Sequence, residues 1–513
     1  MKNGFTRRQG IAGSLAIGAA TAFAGLPAAA QALKGGRLRV ALLADINNFD
    51  PQSFLAVNFP LFKNLYDSLI EYDDKGQAVP SLAESWAIAA GNLGVTIKLR
   101  RDVKFHSGAA MTAESVSATL TKGADPRRGK NVFPTMSFVK DWTAPDPHTL
   151  VINFSAPVPD RQITDFLQFI SVIDHTGIDT VETRPAGSGA YMLAERVLGQ
   201  RVRMTANPNY WRAGQPICNE IVLTVFSDND SAAAALESGA VDLIYGANGR
   251  AAVRLRDAGY QVIQGPGPLV QTFRIKSTHG PFRNAKYRQA FNFLMDRRAI
   301  LRVGYAGLGE VTALPWAPAS PAADRSYDTR FAYDLDKARA LLRESGLSQA
   351  EMNDWKLLVN GSDQDAITIS QIVQSSLQRV GISIQLDIKQ GAEWQEALVG
   401  GKFDATFGGI GNAQKFPTRV ANNSIYRTSN NPVLGEPHPH PDYVAAIERV
   451  NKTFGSGADI KAAYDNLNRA MIEAAFAIPT NTFDVALIVA GKNLAGFTSE
   501  IDNMLVGRTI GFR

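Results

Sequence analysis

Apolar and polar residues alternate at Val95, Ile97 and Leu99, a period of two that predicts a strand ending at the charged turn around Arg101-Asp102. Leu38-Arg-Val-Ala-Leu-Leu43 predicts an earlier strand, followed by a loop of turn formers from Asp45 to Pro51. Elsewhere the period lengthens to that of a helix. Tyr287, Ala290, Phe291 and Leu294 fall on one stripe behind Asn284, a residue suited to cap the first turn. Asp334 is placed to cap a second helix with Ala338, Leu341 and Leu342 inward and Gly346 as its left-handed terminator. Thr112 takes the same capping position ahead of Val116 and Leu120. A further stripe, Ile369, Ile372, Val373, Leu377 and Val380, stops at Gly381 and feeds Ile382-Ser-Ile-Gln-Leu-Asp-Ile388, which reads as a strand. Helix, glycine, strand is the joint of an α/β unit.

The chain has 513 residues, too many for one compact core, so two or more domains are expected. Hydrophobic residues make up 45% and charged residues 20%, which fits a globular chain and not a disordered one. The first 32 residues differ in kind. Lys2, Arg7 and Arg8 precede an uncharged stretch from Ile11 to Leu26, and Ala30-Gln31-Ala32 ends it with small side chains. That is the layout of a cleaved secretory signal, with Arg7-Arg8 suggesting the twin-arginine route and a mature start at Leu33. Sixteen residues with three glycines are short for a span that needs about 20 strongly apolar ones. The expectation is an exported, soluble periplasmic protein without a lipid anchor, because no cysteine follows the signal.

Charge then loses most of its meaning. Residues 1–32 hold three of the 53 basic residues and none of the 48 acids, which leaves 50 against 48. A balance of +2 implies no nucleic-acid partner. The single cysteine, Cys218, excludes an intramolecular disulfide and reads as a buried structural thiol.

Motifs for chemistry fail one by one. None of the six histidines has the spacing that puts two imidazoles on one helix face around zinc, and His438-Pro-His440 lacks a third ligand nearby. Gly187-Ser188-Gly189 lacks the glycine pattern of a nucleophile elbow and reads as a tight turn. No catalytic residue, metal ligand or cofactor is assigned.

Residues 95–120, VTIKLRRDVKFHSGAAMTAESVSATL, resemble the signature of the extracellular solute-binding proteins of dipeptide, oligopeptide and nickel ABC importers. Leu99, Arg100, Val103, Lys104, Phe105, Gly108, Thr112, Ala113 and Val116 carry the match. Further blocks follow in order: Leu65-Tyr-Asp-Ser-Leu69, Pro80-Ser-Leu-Ala-Glu-Ser-Trp86, Gly187-Ser-Gly-Ala-Tyr191 with Asn207-Pro-Asn-Tyr-Trp211, Leu236 to Asp242, Pro281 to Arg297, and Lys402-Phe-Asp404. The resemblance implies an α/β, two-lobed periplasmic binding protein fold, with a ligand cleft between the lobes and an extra subdomain on the first. Lobe I would take residues 33–270, lobe II 271–483, and 484–513 would return to lobe I, with crossings near Gln271 and Phe483. The implied partners are a small-molecule ligand and the membrane permease of an ABC transporter, the protein itself being a monomer.

Specificity is where the resemblance breaks. Peptide-binding members carry Gly-Trp-x-x-Asp after the equivalent of Asp404, and its acid pairs with the ligand's α-amino group. Here the run is Phe407-Gly-Gly-Ile-Gly-Asn412, with Gly409 at the Trp position and Asn412 at the Asp position. Loss of that carboxylate removes a charge-assisted bond of about 1.5–3 kcal/mol. Lys415, Arg419 and Arg427 follow, and either face an anionic ligand group or are solvated loop charges. Candidate ligand-binding residues are Phe49, Phe54, Trp316, Trp394, Asn412, Arg419, Tyr426 and Arg427. The expected solute is small and polar, carrying a carboxylate: peptide-like, opine-like or a modified amino acid. A nickel-chelate or haem carrier is the alternative within the family, and a secreted hydrolase, needing a nucleophile–base pair in the cleft, the alternative outside it.

Overall fold

The computed structural model describes residues 33–513 except 74, 266, 418–419, 421–437, 456, 485–486 and 499. The signal-like segment and most of the Asn412–Pro441 stretch therefore lie outside the described residues.

The first strand, Arg37–Leu42, turns Leu38, Val40 and Leu42 into one core and Ala41 into another. With both faces covered it must sit inside a sheet, and it pairs in parallel with Glu220–Val225 on one side and Leu243–Ala247 on the other. Seven strands make up this sheet. Helices Asn229–Glu237 and Gly249–Asp257 cover the Ala41 face through Ala232, Leu236, Ala252 and Leu255. The last strand of the sheet to form along the chain, Leu487–Ala490, comes from near the C-terminus and lies antiparallel to Leu243–Ala247.

Residues between 83 and 169 build a separate unit, an antiparallel sheet of four strands with helices Ala113–Ala124 and Asp160–Phe169. Val95, Ile97, Leu99, Val116 and Leu120 are all buried in its core. Thr112 stands at the N-cap with extended backbone, yet its side chain makes no capping hydrogen bond.

The second lobe is a five-stranded sheet in the order Gln385–Lys389, Lys356–Asn360, Ala405–Ile410, Leu269–Ile275, Ala477–Phe483. Helices Ala285–Leu294, Leu335–Glu344 and Gln364–Gln378 pack against it. Asn284 accepts from the Tyr287 amide (3.2 Å), and Asp334 from the Asp336 and Lys337 amides (3.1 and 3.0 Å). Gly346 and Gly381 take the left-handed conformation that ends each helix cheaply for glycine alone. The strand expected over 382–388 is shorter, Gln385–Lys389, and Ile388 is 50% exposed. It is an edge strand whose pairing with Lys356–Asn360 begins only at Gln385, so the alternating pattern runs out into solvent. The two-lobed α/β architecture is the expected one. Among the described residues no helix is long and apolar enough to cross a membrane.

Candidate functional site

Two parallel strands, one from each sheet, point their C-terminal ends at the same space. Leu243–Ala247 of the first lobe and Lys356–Asn360 of the second both open into a cavity of about 460 Å³. Crevices beyond the C-terminal ends of such strands are where open α/β sheets bind ligands, because loops and helix starts converge there. The two segments that join the lobes form one wall, through Gln264 and Gln271 on the way out and Phe483 and Asp484 on the way back. Asp484 ties those segments together, accepting from the Gly265 and Gly267 amides at 2.8 and 3.0 Å. Partial burial still pushes its carboxyl upward against those two bonds.

Chemically the cavity is acidic and aromatic. Among the described residues its charged lining consists of Asp363, Asp365 and Asp484. Asp363 caps the helix Gln364–Gln378, accepting from the Asp365 and Ala366 amides at 3.0 and 3.2 Å. The Asp365 carboxylate opens into the cleft and accepts no hydrogen bond from the described residues. Desolvation within the cleft raises its pKa, Asp363 adds to the rise, and Arg250 of the first lobe opposes it. The rings are Trp394, Tyr305, Phe407 and Phe483, with Tyr305 and Phe483 at 5.2 Å between centroids. The Trp394 Nε1 is shielded from solvent and has no partner among the described residues.

Of the described residues proposed from sequence, Trp394 lines this cavity, whereas Phe49, Phe54, Trp316 and Asn412 are not among its lining. Phe49 is buried in the first lobe's core, its carbonyl accepting from the Tyr66 hydroxyl at 2.8 Å. Phe54 is half-buried between Phe59 and Phe169, with centroids at 5.1 and 4.5 Å. Trp316 is buried too, and its indole N–H donates to Asn468 Oδ1 at 2.6 Å. Asn412 follows the strand Ala405–Ile410 at a φ of 64°, a conformation asparagine tolerates, and its carbonyl accepts from the Lys415 amide at 3.0 Å. Arg419, Tyr426 and Arg427 lie outside the described residues.

Lys415 corrects the sequence reading. It is neither a solvated charge nor free for an anion, being 1% exposed and bonded across the lobes to Asp502 (2.9 Å) and Gln168 (2.7 Å). Burial opposes the charge on Asp502, but Lys415 and the Gln168 amide outweigh it and hold that carboxyl below its usual range. Gln414 also donates to Asp502 at 3.0 Å, and the Phe416 amide to Asp165 at 2.7 Å.

Gly409, opposite the Trp position of the peptide-binding pattern, lines the cavity beside a ring from elsewhere: a Cβ added there would meet Phe483 at 2.9 Å. Sequence reasoning missed the three acids and Tyr305. Only Asp363 left a trace, as a capping residue before an apolar stripe. The Ser188 hydroxyl is buried and donates to Asp67 at 2.9 Å, and the thiol of Cys218 is pushed up to about 11 by burial, so neither serves the cavity. Among the described residues no group of three or more His, Cys, Asp or Glu is arranged to hold a metal ion.

Comparison with known proteins fits this geometry. The chain is 24% identical over 376 residues to Heme-binding protein A of Haemophilus influenzae strain Rd, covering 67% of this chain and 68% of the relative. It is 26% identical over 388 residues to the Glutathione-binding protein GsiB of Escherichia coli O1:K1 / APEC, covering 73% of each. The solved structure of the binding protein AgaA from A. tumefaciens R10, in complex with agropinic acid, superposes with a TM-score of 0.73 at 21% identity, over 93% of this chain and 99% of that one. Residues 77–432 match the middle region of bacterial extracellular solute-binding proteins, family 5. The chain therefore belongs to the bacterial extracellular solute-binding proteins of family 5, the solute-capturing components of ABC importers.

Proposed function

We propose that this protein is exported to the periplasm, captures a small polar solute between its lobes as a monomer, and delivers it unchanged to an ABC permease. The observation that carries this reading is the cavity itself, built by strand ends from both sheets and walled by both connecting segments. A solute there touches both lobes at once, which is how binding energy biases an open–closed equilibrium. Lobe I at 33–270 and 484–513, with lobe II at 271–483 and crossings near Gln271 and Phe483, matches the two sheets to within two residues, since the strand Leu269–Ile275 already belongs to the second one. Lys415 reaching into the first lobe belongs to the closed arrangement.

Haem, glutathione and agropinic acid, named for the relatives, span chemically diverse solutes, so family membership alone does not choose between them. One experiment covers the reading: native mass spectrometry of the protein purified from the periplasm of an expressing bacterium. The expected result is a polypeptide beginning at Leu33 with one small molecule bound, released at the same mass after prolonged incubation. Conversion of that molecule to a product would overturn the reading.

A further inference from the structure

We propose that the ring of Phe483 limits the size of solute this protein accepts, standing as a partition between the interlobe cavity and a second recess behind the crossings. The inference rests on the solute-binding reading and adds to it a residue that selects by length. The recess measures about 490 Å³ and is lined by Lys75 of the first lobe and by Glu310, Pro318 and Thr482 of the second. Four described residues line both spaces: Gln264, Gly309, Phe483 and Asp484. These four stand where cavity and recess adjoin.

Three of them are pinned by hydrogen bonds. Asp484 accepts from the Gly265 and Gly267 amides, and Gln264 Oε1 accepts from the Gly309 amide at 2.9 Å. Phe483 brings the one apolar side chain of the four. The backbone beneath it is held, because the Thr482 amide donates to the Glu310 carbonyl at 2.7 Å and the Glu310 amide to the Thr482 hydroxyl at 3.0 Å. The ring is therefore the part of the partition that can be removed without cutting a hydrogen bond.

Its position explains a glycine. The strand Ala477–Phe483 lies beside Leu269–Ile275, which lies beside Ala405–Ile410. Phe483 pairs with Leu269 and Gly409 with Gln271, so the ring crosses the intervening strand to reach the glycine. A Cβ added to Gly409 would meet the tip of the ring at 2.9 Å. The φ of Gly409 is not positive, so its backbone makes no demand for glycine, and the demand is for space. Tyr305 packs on the same ring at 5.2 Å between centroids. With the ring in place a solute has about 460 Å³, room for a compact organic molecule. An extended one must displace the ring from Tyr305 and Gly409 and lose that packing. Without the ring the two spaces run together.

The test uses the mature protein stripped of solute and exposed to a small-molecule extract of an expressing bacterium. Native mass spectrometry then identifies what the parent, Phe483→Ala and Phe483→Leu each retain. Both variants are expected to retain compounds heavier than any the parent retains. In calorimetry the heaviest of these should bind Phe483→Ala about tenfold or more tighter than the parent, with Phe483→Leu between them. Gly409→Ala drives a methyl group against the ring and should weaken the parent's own compound by about threefold or more. In the Phe483→Ala background the same change should alter that affinity by less than about twofold. Melting curves without solute check that each variant folds, and Phe483→Leu, which keeps apolar cover on the strand, carries the test if Phe483→Ala does not. Identical sets of retained compounds in the parent and the folded variants overturn the proposal and leave the solute-binding reading standing. So does a Gly409→Ala effect of equal size with and without the ring. Capture of nothing by the parent counts against both.

Discussion

Lys415 shows how burial changes what a residue means. Its ammonium bridges Asp502 and Gln168 in the opposite lobe, while Glu500 lies beside Asp502, its carboxyl pushed up first by burial and then by that neighbour. Replacing Lys415 by Met leaves Asp502 without its ion-pair partner, while Glu500 keeps Lys63 at 3.7 Å, so Lys415→Met should lose about 3–5 kcal/mol in denaturant unfolding. Adding Asp502→Asn should recover part of that loss. A loss within about 0.5 kcal/mol would mean the bridge is not formed in solution.

His440 gives a prediction in pH. Its ring is stacked on Phe476 at 5.1 Å and its Nε2 meets Ser277 Oγ at 2.9 Å. Burial first, then Arg288 and His438, push its pKa down to about 3. The folded protein keeps this imidazole neutral while the unfolded chain takes up a proton below about pH 6.5. Its contribution is therefore intact above that pH and is lost as pH falls from about 6.5 toward 3, by up to roughly 1.4 kcal/mol per pH unit. His106, also held low by burial, shares the sign. Stability measured at pH 7 and pH 5 should fall more steeply in the parent than in His440→Asn, and identical slopes would contradict the assignment.

Among the elements, what the sequence made legible was local. Asn284 and Asp334 cap their helices, and the stripe Tyr287, Ala290, Phe291, Leu294 is buried, because caps and periodicity act within a few residues. Thr112 holds its position without using its side chain, and Ile388 escapes burial because the sheet ends beside it. The family signature carried the rest of the fold. The cavity was far less legible. Asp365, Tyr305 and Asp484 come from segments more than 50 residues apart and have no common pattern until the sheets bring them together. Phe49 and Trp316, two of the aromatic residues proposed as ligand contacts, are buried in the packing of their own lobes. Trp394, proposed with them through the family resemblance, stands on the helix Gly391–Val399 and lines the cavity.

At the scale of the whole molecule, two sheets are joined by two crossings that Asp484 holds together, and Gln414, Lys415 and Phe416 draw the second lobe onto the first. The account's central claim is that a solute in the cavity closes this arrangement. Small-angle X-ray scattering of the stripped protein, with and without the compound it captures, tests that claim most directly. The radius of gyration should fall when the compound is added at a concentration that also raises the melting temperature by mass action. An unchanged radius alongside a raised melting temperature would contradict closure and place binding on a single lobe.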